Sequence, residues 1–516
     1  MGVSAGSNPI PTILSESRRA VSAGPGAILR GAFVLMSEPE TQPHLPPSLP
    51  PVWARVADAL ALAVGGLGVL VALFGGFRLH AAGARFSVTS APRLLAGGLV
   101  ILVLRHLFCR RAPAIGLLWR GARRIWRAPD FRAVFPIWAA SRIGVLVVGF
   151  LAVGTYGFLD NTVPFRLYEN EILNLPARYD AGWYLNIAAY GYRWDPAASG
   201  QQNIAFMPAL PMLMRFGGRL LGGQPIWAGQ LIVFIASLWG FVYVYRLARS
   251  ALGSSEQGTT AVALLAAYPF ALFYSAVYTE SIFLLCSAGA FYHVMRREYW
   301  KTAAFALLCG FARPNGFLLA VPVALVAFWP ALVEAWSRPA EGLASRIVRA
   351  VREAAPAILA GAVAVVGVLA FSAFIYALTG RPLAWLEAHA AWGRTFGAWV
   401  SKGPFQELQG GGLYGYAHSQ PIDAVNFAAV LVCLAAIWPV TRRFGVPYGV
   451  FIAINLIPPL TTGGLLSIGR VTAAMFPMFI WLAAAVPARQ RAAWLTAFAL
   501  LQGWGAALFF TWREFI

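Results

Sequence analysis

The sequence predicts an all-α polytopic membrane protein with about thirteen transmembrane helices. Three observations lead there. Of 516 residues, 59% are hydrophobic and 12% charged, with a mean hydropathy of +0.65, more apolar surface than a soluble fold can cover. Apolar stretches long enough to cross about 30 Å of hydrocarbon recur along almost the whole chain. They are continuous rather than alternating, which favours helices over the strands of a closed barrel.

In chain order the predicted spans cover about 56–77, 90–107, 135–158, 226–245, 259–276, 279–295, 301–312, 316–333, 356–378, 422–440, 446–461, 470–486 and 493–511. Arg105, Arg110, Arg111, Arg120, Arg123, Arg124 and Arg127 form the densest basic run, so the linker they occupy is expected on the cytoplasmic side. Alternating outward from it puts Arg246 and Arg249, Arg296, Arg297 and Lys301, Arg338 to Arg352, Arg442 and Arg443, and Arg489 and Arg491 inside as well. Keeping that parity requires Phe206 to Leu221, which carries Pro208, Pro211, Arg215 and Arg219, to be an interfacial helix rather than a span. Two long loops then face outward, Leu159 to Pro225 and Thr379 to Gln420, with short turns at Tyr278 to Glu280, Arg313 to Gly316 and Thr461 to Arg470.

Residues 1–50, rich in Pro, Ser, Gly and Ala, read as a disordered amino-terminal segment in which Met36 offers an alternative start. Residues 51–130 hold two helices and the basic linker, and 131–516 form the main membrane domain. The +20 formal charge is scattered between apolar spans instead of forming one stripe with interleaved aromatics, which excludes nucleic-acid binding. Cys109, Cys286, Cys309 and Cys433 fall in or beside spans without metal or disulfide spacing and read as core packing.

Chemistry is sought in the outward loops. In RYDAGWYLNIAAYGY, Arg178 to Tyr192, helical spacing gathers Asp180, Trp183, Tyr184 and Ile187 on one face. Trp183, Tyr184, Tyr190 and Tyr192 would anchor at headgroup level and set the height of Asp180, as a reaction on a lipid-linked substrate needs. The same spacing fits a surface helix whose Asp180 pairs with Arg178 or caps the helix. Glu280 stands at the outer end of a span, as a site acid or as a solvated helix start. Arg313, Pro314, Asn315 and Gly316 interrupt two short apolar segments, and broken backbone at membrane depth is tolerated mainly where it lines a cavity. Arg313 and Arg470 read as anion holders or as helix-end arginines reaching for headgroups. The second long loop offers Glu387, His389, Trp392 and Arg394, then Lys402, Glu407, Tyr414, Tyr416 and His418, a mixture that suits sugar binding and equally an ordered loop. There is no Walker loop, no Rossmann fingerprint and no Asp-x-Asp pair, so soluble nucleotide-activated donors are disfavoured.

Taken together, these pieces resemble a known family. RYDAGWYLNIAAYGY is similar to the signature of the second mannosyltransferase of GPI-anchor biosynthesis and its bacterial relatives. NIAFMPALPMLMR, SAVYTESIF and GFARPNGFLL are similar to that family's later motifs in the same order, and the likeness spans about residues 132–490. The resemblance implies a GT-C glycosyltransferase-like helical bundle with membrane-parallel helices in the first large extracytoplasmic loop. It also implies transfer of a sugar, mannose in this family, from a polyprenyl-phosphate donor to a lipid or glycan acceptor. Asp180 would be the catalytic base, with Arg178, Tyr184, Glu280, Arg313, Asn315, His389 and Arg470 binding substrate. No cofactor or metal ligand is expected, metal dependence is left open, and the expected setting is a bacterial inner membrane with the site extracytoplasmic. The chain departs from the pattern at Tyr179, at His389 and at Ile468 to Val471, which leaves the sugar open. Two other readings stand beside the enzyme, a lipid or polyol transporter and a catalytically silent assembly protein.

Overall fold

The computed structural model describes residues 51–513 apart from 75–76, 82–83, 89, 110–113, 161–164, 199, 338–341, 396–420 and 466. The chain divides into two units, 1–47 and 48–516, and all that follows concerns the second. The expectations for residues 1–50 and for Lys402, Glu407, Tyr414, Tyr416 and His418 lie outside the described residues.

Helix α1 (Val52–Phe74) and α2 (Ala91–Phe108) pair closely, because Gly98 leaves only 3.0 Å between a would-be Cβ and the backbone of Ala61 and Gly65. Between them runs an antiparallel hairpin, β1 (Phe77–Ala81) and β2 (Ala84–Val88), with Phe77 opposite Val88 and Ala81 opposite Ala84. It is a small addition to the helical fold, and the first span ends before it at Phe74. Its cause is local: FRLHA and ARFSV alternate apolar and polar residues with a period of two, where a helix would need 3.6. Helix α3 (Ala114–Arg127) carries exposed Arg120, Arg123, Arg124 and Arg127.

Helix α4 (Pro129–Tyr156) opens with proline in its first turn. Asp130 near its start accepts from Arg246 at 2.8 Å and Arg249 at 2.9 Å, both near the end of α8 (Pro225–Leu252). The first outer loop holds α5 (Glu171–Asn174), α6 (Asp180–Tyr190) and α7 (Ala209–Leu220). The segment expected to lie at the interface is thus a 12-residue helix, too short to cross. It is pressed onto α8, where a Cβ on Gly218 would come 2.6 Å from Pro225.

The remaining elements are α9 (Ser255–Ala267), a 3₁₀ turn over Pro269–Tyr274, α10 (Glu280–Met295), α11 (Tyr299–Ala312), a 3₁₀ turn over Gly316–Leu319, and α12 (Ala320–Trp336). They continue with α13 (Leu343–Thr379), α14 (Ala384–Glu387) leading into a 3₁₀ turn over Ala388–Trp392, α15 (Pro421–Phe444), α16 (Val446–Gly463), α17 (Ile468–Ala473), α18 (Phe476–Ala485) and α19 (Arg491–Phe510). Among the described residues nine helices are, by length and composition, long and apolar enough to cross a membrane. The other four predicted spans fall on α9 with its 3₁₀ turn, α10, α11, and α17 with α18, which are short or broken.

Those four lie inside the bundle, and neighbouring helices supply what their broken backbone lacks. Where α9 stops at Pro269, Gln502 of α19 donates to the carbonyls of Ala266 at 3.0 Å and Tyr268 at 2.8 Å. Arg142 of α4, fully buried, donates to Ala266 O at 3.0 Å, to Ser275 Oγ at 3.2 Å and to Ala271 O. Gln230 of α8 donates to Ser275 O at 3.2 Å, and the Gly469 amide finds Asn426 Oδ1 of α15 at 2.9 Å. Gly469 itself is required, since a Cβ there would sit 2.1 Å from the Phe270 ring. All four cysteines are buried, as core residues, with no disulfide between them.

Candidate active site

The broken helices aim their ends at one place. Asp180 is the first residue of α6 and Glu280 the first of α10, so both carboxylates sit at the positive end of a helix dipole. Arg313 follows the last residue of α11, and Arg470 lies in the short α17. Arg470 Nη1 reaches Asp180 Oδ2 at 2.8 Å while its Nε lies 3.5 Å from Glu280 Oε1. Arg313 Nη1 meets the same Glu280 oxygen at 2.9 Å. Four residues scattered over 290 positions of sequence therefore form one chain of alternating charge, Asp180 to Arg470 to Glu280 to Arg313. The surroundings are aromatic: Arg470 stands 5.4 Å from the Tyr278 centroid and Arg313 5.7 Å from that of Phe283.

Glu280 is only 1% exposed, so the solvated helix start is ruled out, and Arg313 turns inward rather than to headgroups. Among the described residues Glu280 Oε2 and Arg470 Nε have no hydrogen-bond partner. Buried polar atoms are seldom left so, and the two together suit a polar ligand.

The other sequence candidates divide. Tyr184 is buried one turn along α6, with Asp180 and Glu280 close enough to act on its hydroxyl and Thr279 in hydrogen-bond reach. Burial first, and then those two carboxylates, push its pKa well above the usual tyrosine value. Asn315 turns aside and donates to Asn455 Oδ1 at 2.9 Å, tying the break after α11 to α16. Arg178 is not brought to the cluster. It is 1% exposed and donates to the carbonyls of Phe510 at 3.0 Å and Asn174 at 2.7 Å, and burial lowers its pKa to about 10. It does not pair with Asp180; Glu171 is its nearby acid at 3.8 Å. The headgroup-anchor expectation is corrected for two rings: Tyr184 is core, and Tyr192 donates to Phe206 O at 2.7 Å and packs on Phe371. Tyr190, 67% exposed, keeps that option.

Arg394, passed over as one member of a mixed loop, proves to be a neighbour of the cluster. The short strap formed by α14 and the turn after it carries His389, Trp392 and Arg394 across the site. Trp392 meets Trp183 at 5.7 Å and Phe206 at 5.5 Å between centroids, next to the helix that begins with Asp180. Arg394 reaches the end of α16, where a Cβ on Gly463 would lie 3.1 Å from its Nη1. Burial, and then the charges of Arg470 and Arg313, lower its pKa to about 10, while Asp180 opposes them. His389 Nδ1 donates to Trp385 O, 2.9 Å away, and burial lowers its pKa. No local signal could have singled out Arg394, because only the strap's path brings it near. Among the described residues, no three His, Cys, Asp or Glu side chains gather as metal ligands.

Residues 207–339 match the sequence model of the dolichyl-phosphate-mannose-protein mannosyltransferase family. The matched segment holds α7 to α12, including Glu280 and Arg313, but neither Asp180 nor Arg470. It supports the GT-C superfamily, in agreement with the helical membrane fold, without singling out the GPI branch that the motifs resemble. A comparison with curated proteins finds no match.

Proposed function

We propose that this integral membrane protein is a mannosyltransferase that moves the sugar of a polyprenyl-phosphate donor to a hydroxyl of a lipid or glycan acceptor. The observation that carries the reading is the charge chain from Asp180 to Arg313, with Arg394 above it, at the meeting point of the broken helices. Its five members are three guanidiniums and two carboxylates, a set suited to an added phosphate.

In the proposed displacement Asp180 takes the proton of the acceptor hydroxyl as the oxygen attacks the anomeric carbon. A bond forms from that oxygen to carbon, the bond from carbon to phosphate oxygen breaks, and the electron pair leaves with the lipid phosphate. Arg470 and Arg313 stabilise the charge growing on the phosphate, an electrostatic role fixed in place before reaction. Attack opposite the leaving group inverts the anomeric configuration. Arg470 links the two halves of the reaction: in the free site it holds Asp180, and an arriving phosphate competes for it and releases the base. Glu280 Oε2, buried without a partner, is suited to accept a sugar hydroxyl.

The proposed site is extracytoplasmic, a reading supported by the opposite end of α4. That helix has 28 residues, about 42 Å at 1.5 Å per residue, with Asp130, Arg246, Arg249 and the basic α3 at one end and the loop leading to Asp180 at the other.

The test uses purified protein in nanodiscs with radiolabelled polyprenyl-phosphate-mannose and membrane-lipid and glycan extracts. A glycosylated product of inverted configuration is expected. Substrate flux in proteoliposomes without any glycosylated product would replace the enzyme with the transporter.

A further inference from the structure

Tyr179, immediately before Asp180, has φ 45° and ψ −117°, a backbone conformation that a bulky side chain rarely adopts. Such a residue persists only where its surroundings over-determine it. Here they come from the far end of the sequence. The Tyr179 ring lies 4.6 Å from that of Trp512 and 5.3 Å from that of Phe509, and its hydroxyl donates to Arg513 O at 2.8 Å. Arg178, one residue earlier, donates Nε to Phe510 O and stands 5.9 Å from the Trp512 centroid.

The segment that holds them is itself held. Thr511 O accepts from the Leu159 amide at 3.2 Å, and Arg513 donates to Gly157 O at 3.2 Å, so residues 511–513 are pinned to the loop that leaves α4. Trp512 also has a positive φ, 59°. Two residues of positive φ thus meet through their rings, and the Arg513 carbonyl adds a hydrogen bond to the Tyr179 hydroxyl. On the far side, the Asp180 amide donates to Tyr278 Oη at 3.1 Å.

We infer that Trp512, with Phe509 and the Arg513 carbonyl, is a positioning element that keeps Tyr179 in its strained turn and thereby aims the Asp180 carboxylate at the reacting hydroxyl. The inference rests on the proposed role of Asp180. Relaxing Tyr179 to negative φ would swing the first turn of α6 and carry Asp180 away from Arg470. Small displacements of this kind lower turnover far more than substrate binding.

The experiment compares native protein, Trp512→Ala and Trp512→Phe in nanodiscs by two readouts. The first is mannosyl transfer kinetics from polyprenyl-phosphate-mannose; the second is hydrogen exchange at the Asp180, Ala181 and Gly182 amides, which donate to Tyr278, Arg178 and Tyr179. Trp512→Ala is expected to lower kcat by about tenfold or more with the donor KM within about twofold, and to speed exchange at those amides. Trp512→Phe, which keeps a ring against Tyr179, is expected to recover most of both. Unchanged exchange in Trp512→Ala overturns the inference, whatever the activity, as does faster exchange with native kcat. If the native protein transfers no sugar, the proposed function falls, and exchange alone still decides whether Trp512 holds the turn.

Discussion

Two kinds of helix build this molecule, and they obey different rules. Helix α13, 37 residues without a break, turns Leu359 (69% exposed) and Leu369 (61% exposed) outward. Helices α9, α10, α11, α17 and α18 are half that length or less, and α10, α17 and α18 are buried at most of their positions. In hydrocarbon an unpaired backbone group costs several kcal/mol, so lipid-facing helices must run unbroken. Surrounded by protein, a helix can stop at membrane depth if side chains such as Gln502, Arg142, Gln230 and Asn426 take over its hydrogen bonds. The freed helix ends then carry Asp180, Glu280, Arg313 and Arg470 to a common point. Irregular backbone is the means by which an apolar bundle acquires a charged site.

This contrast can be broken or sharpened by substitution, read as thermal stability in nanodiscs. Arg470→Gln removes the guanidinium that pairs with Asp180 and the farther of the two beside Glu280, which keeps Arg313. A loss of about 3–5 kcal/mol is expected, together with loss of transfer. Gln502→Leu removes one donor from the Ala266 carbonyl, which keeps Arg142, and one from the Tyr268 carbonyl, which keeps the Ala271 amide, for an expected cost of about 1–3 kcal/mol. Gly316→Ala forces a Cβ to 1.9 Å from Cys309 O at the break after α11, and about 1–3 kcal/mol of strain is expected. Leu369→Ala on the lipid face of α13 is expected to change stability by less than about 0.5 kcal/mol, since lipid replaces the lost contacts. An outer substitution as costly as an inner one would dissolve the distinction.

Much of this was legible in the sequence because apolar length is a strong signal. Every predicted span has a helix or a broken helix under it, and the signature around Asp180 forms the helix its spacing predicts. Hydropathy could not tell a continuous helix from a short or broken one of 13 or 14 residues, since both are apolar, and so gave no sign of the breaks in four of the predicted spans. The hairpin at Phe77–Val88 was hidden because its alternating residues abut a long apolar run. Site partners were legible one at a time but not their pairing: Arg178 is two residues from Asp180 yet faces away, whereas Arg470 is 290 residues distant and touches it. Arg394 carried no motif at all, and only the path of the strap reveals it.

The central claim is that Asp180 is the base of a sugar transfer, and one comparison tests it most directly: native protein and Asp180→Asn, side by side in nanodiscs, supplied with radiolabelled polyprenyl-phosphate-mannose and acceptor extracts. The account predicts that Asp180→Asn stays folded and binds donor while transfer falls by about 10²-fold or more. Transfer at the native rate by Asp180→Asn would contradict it.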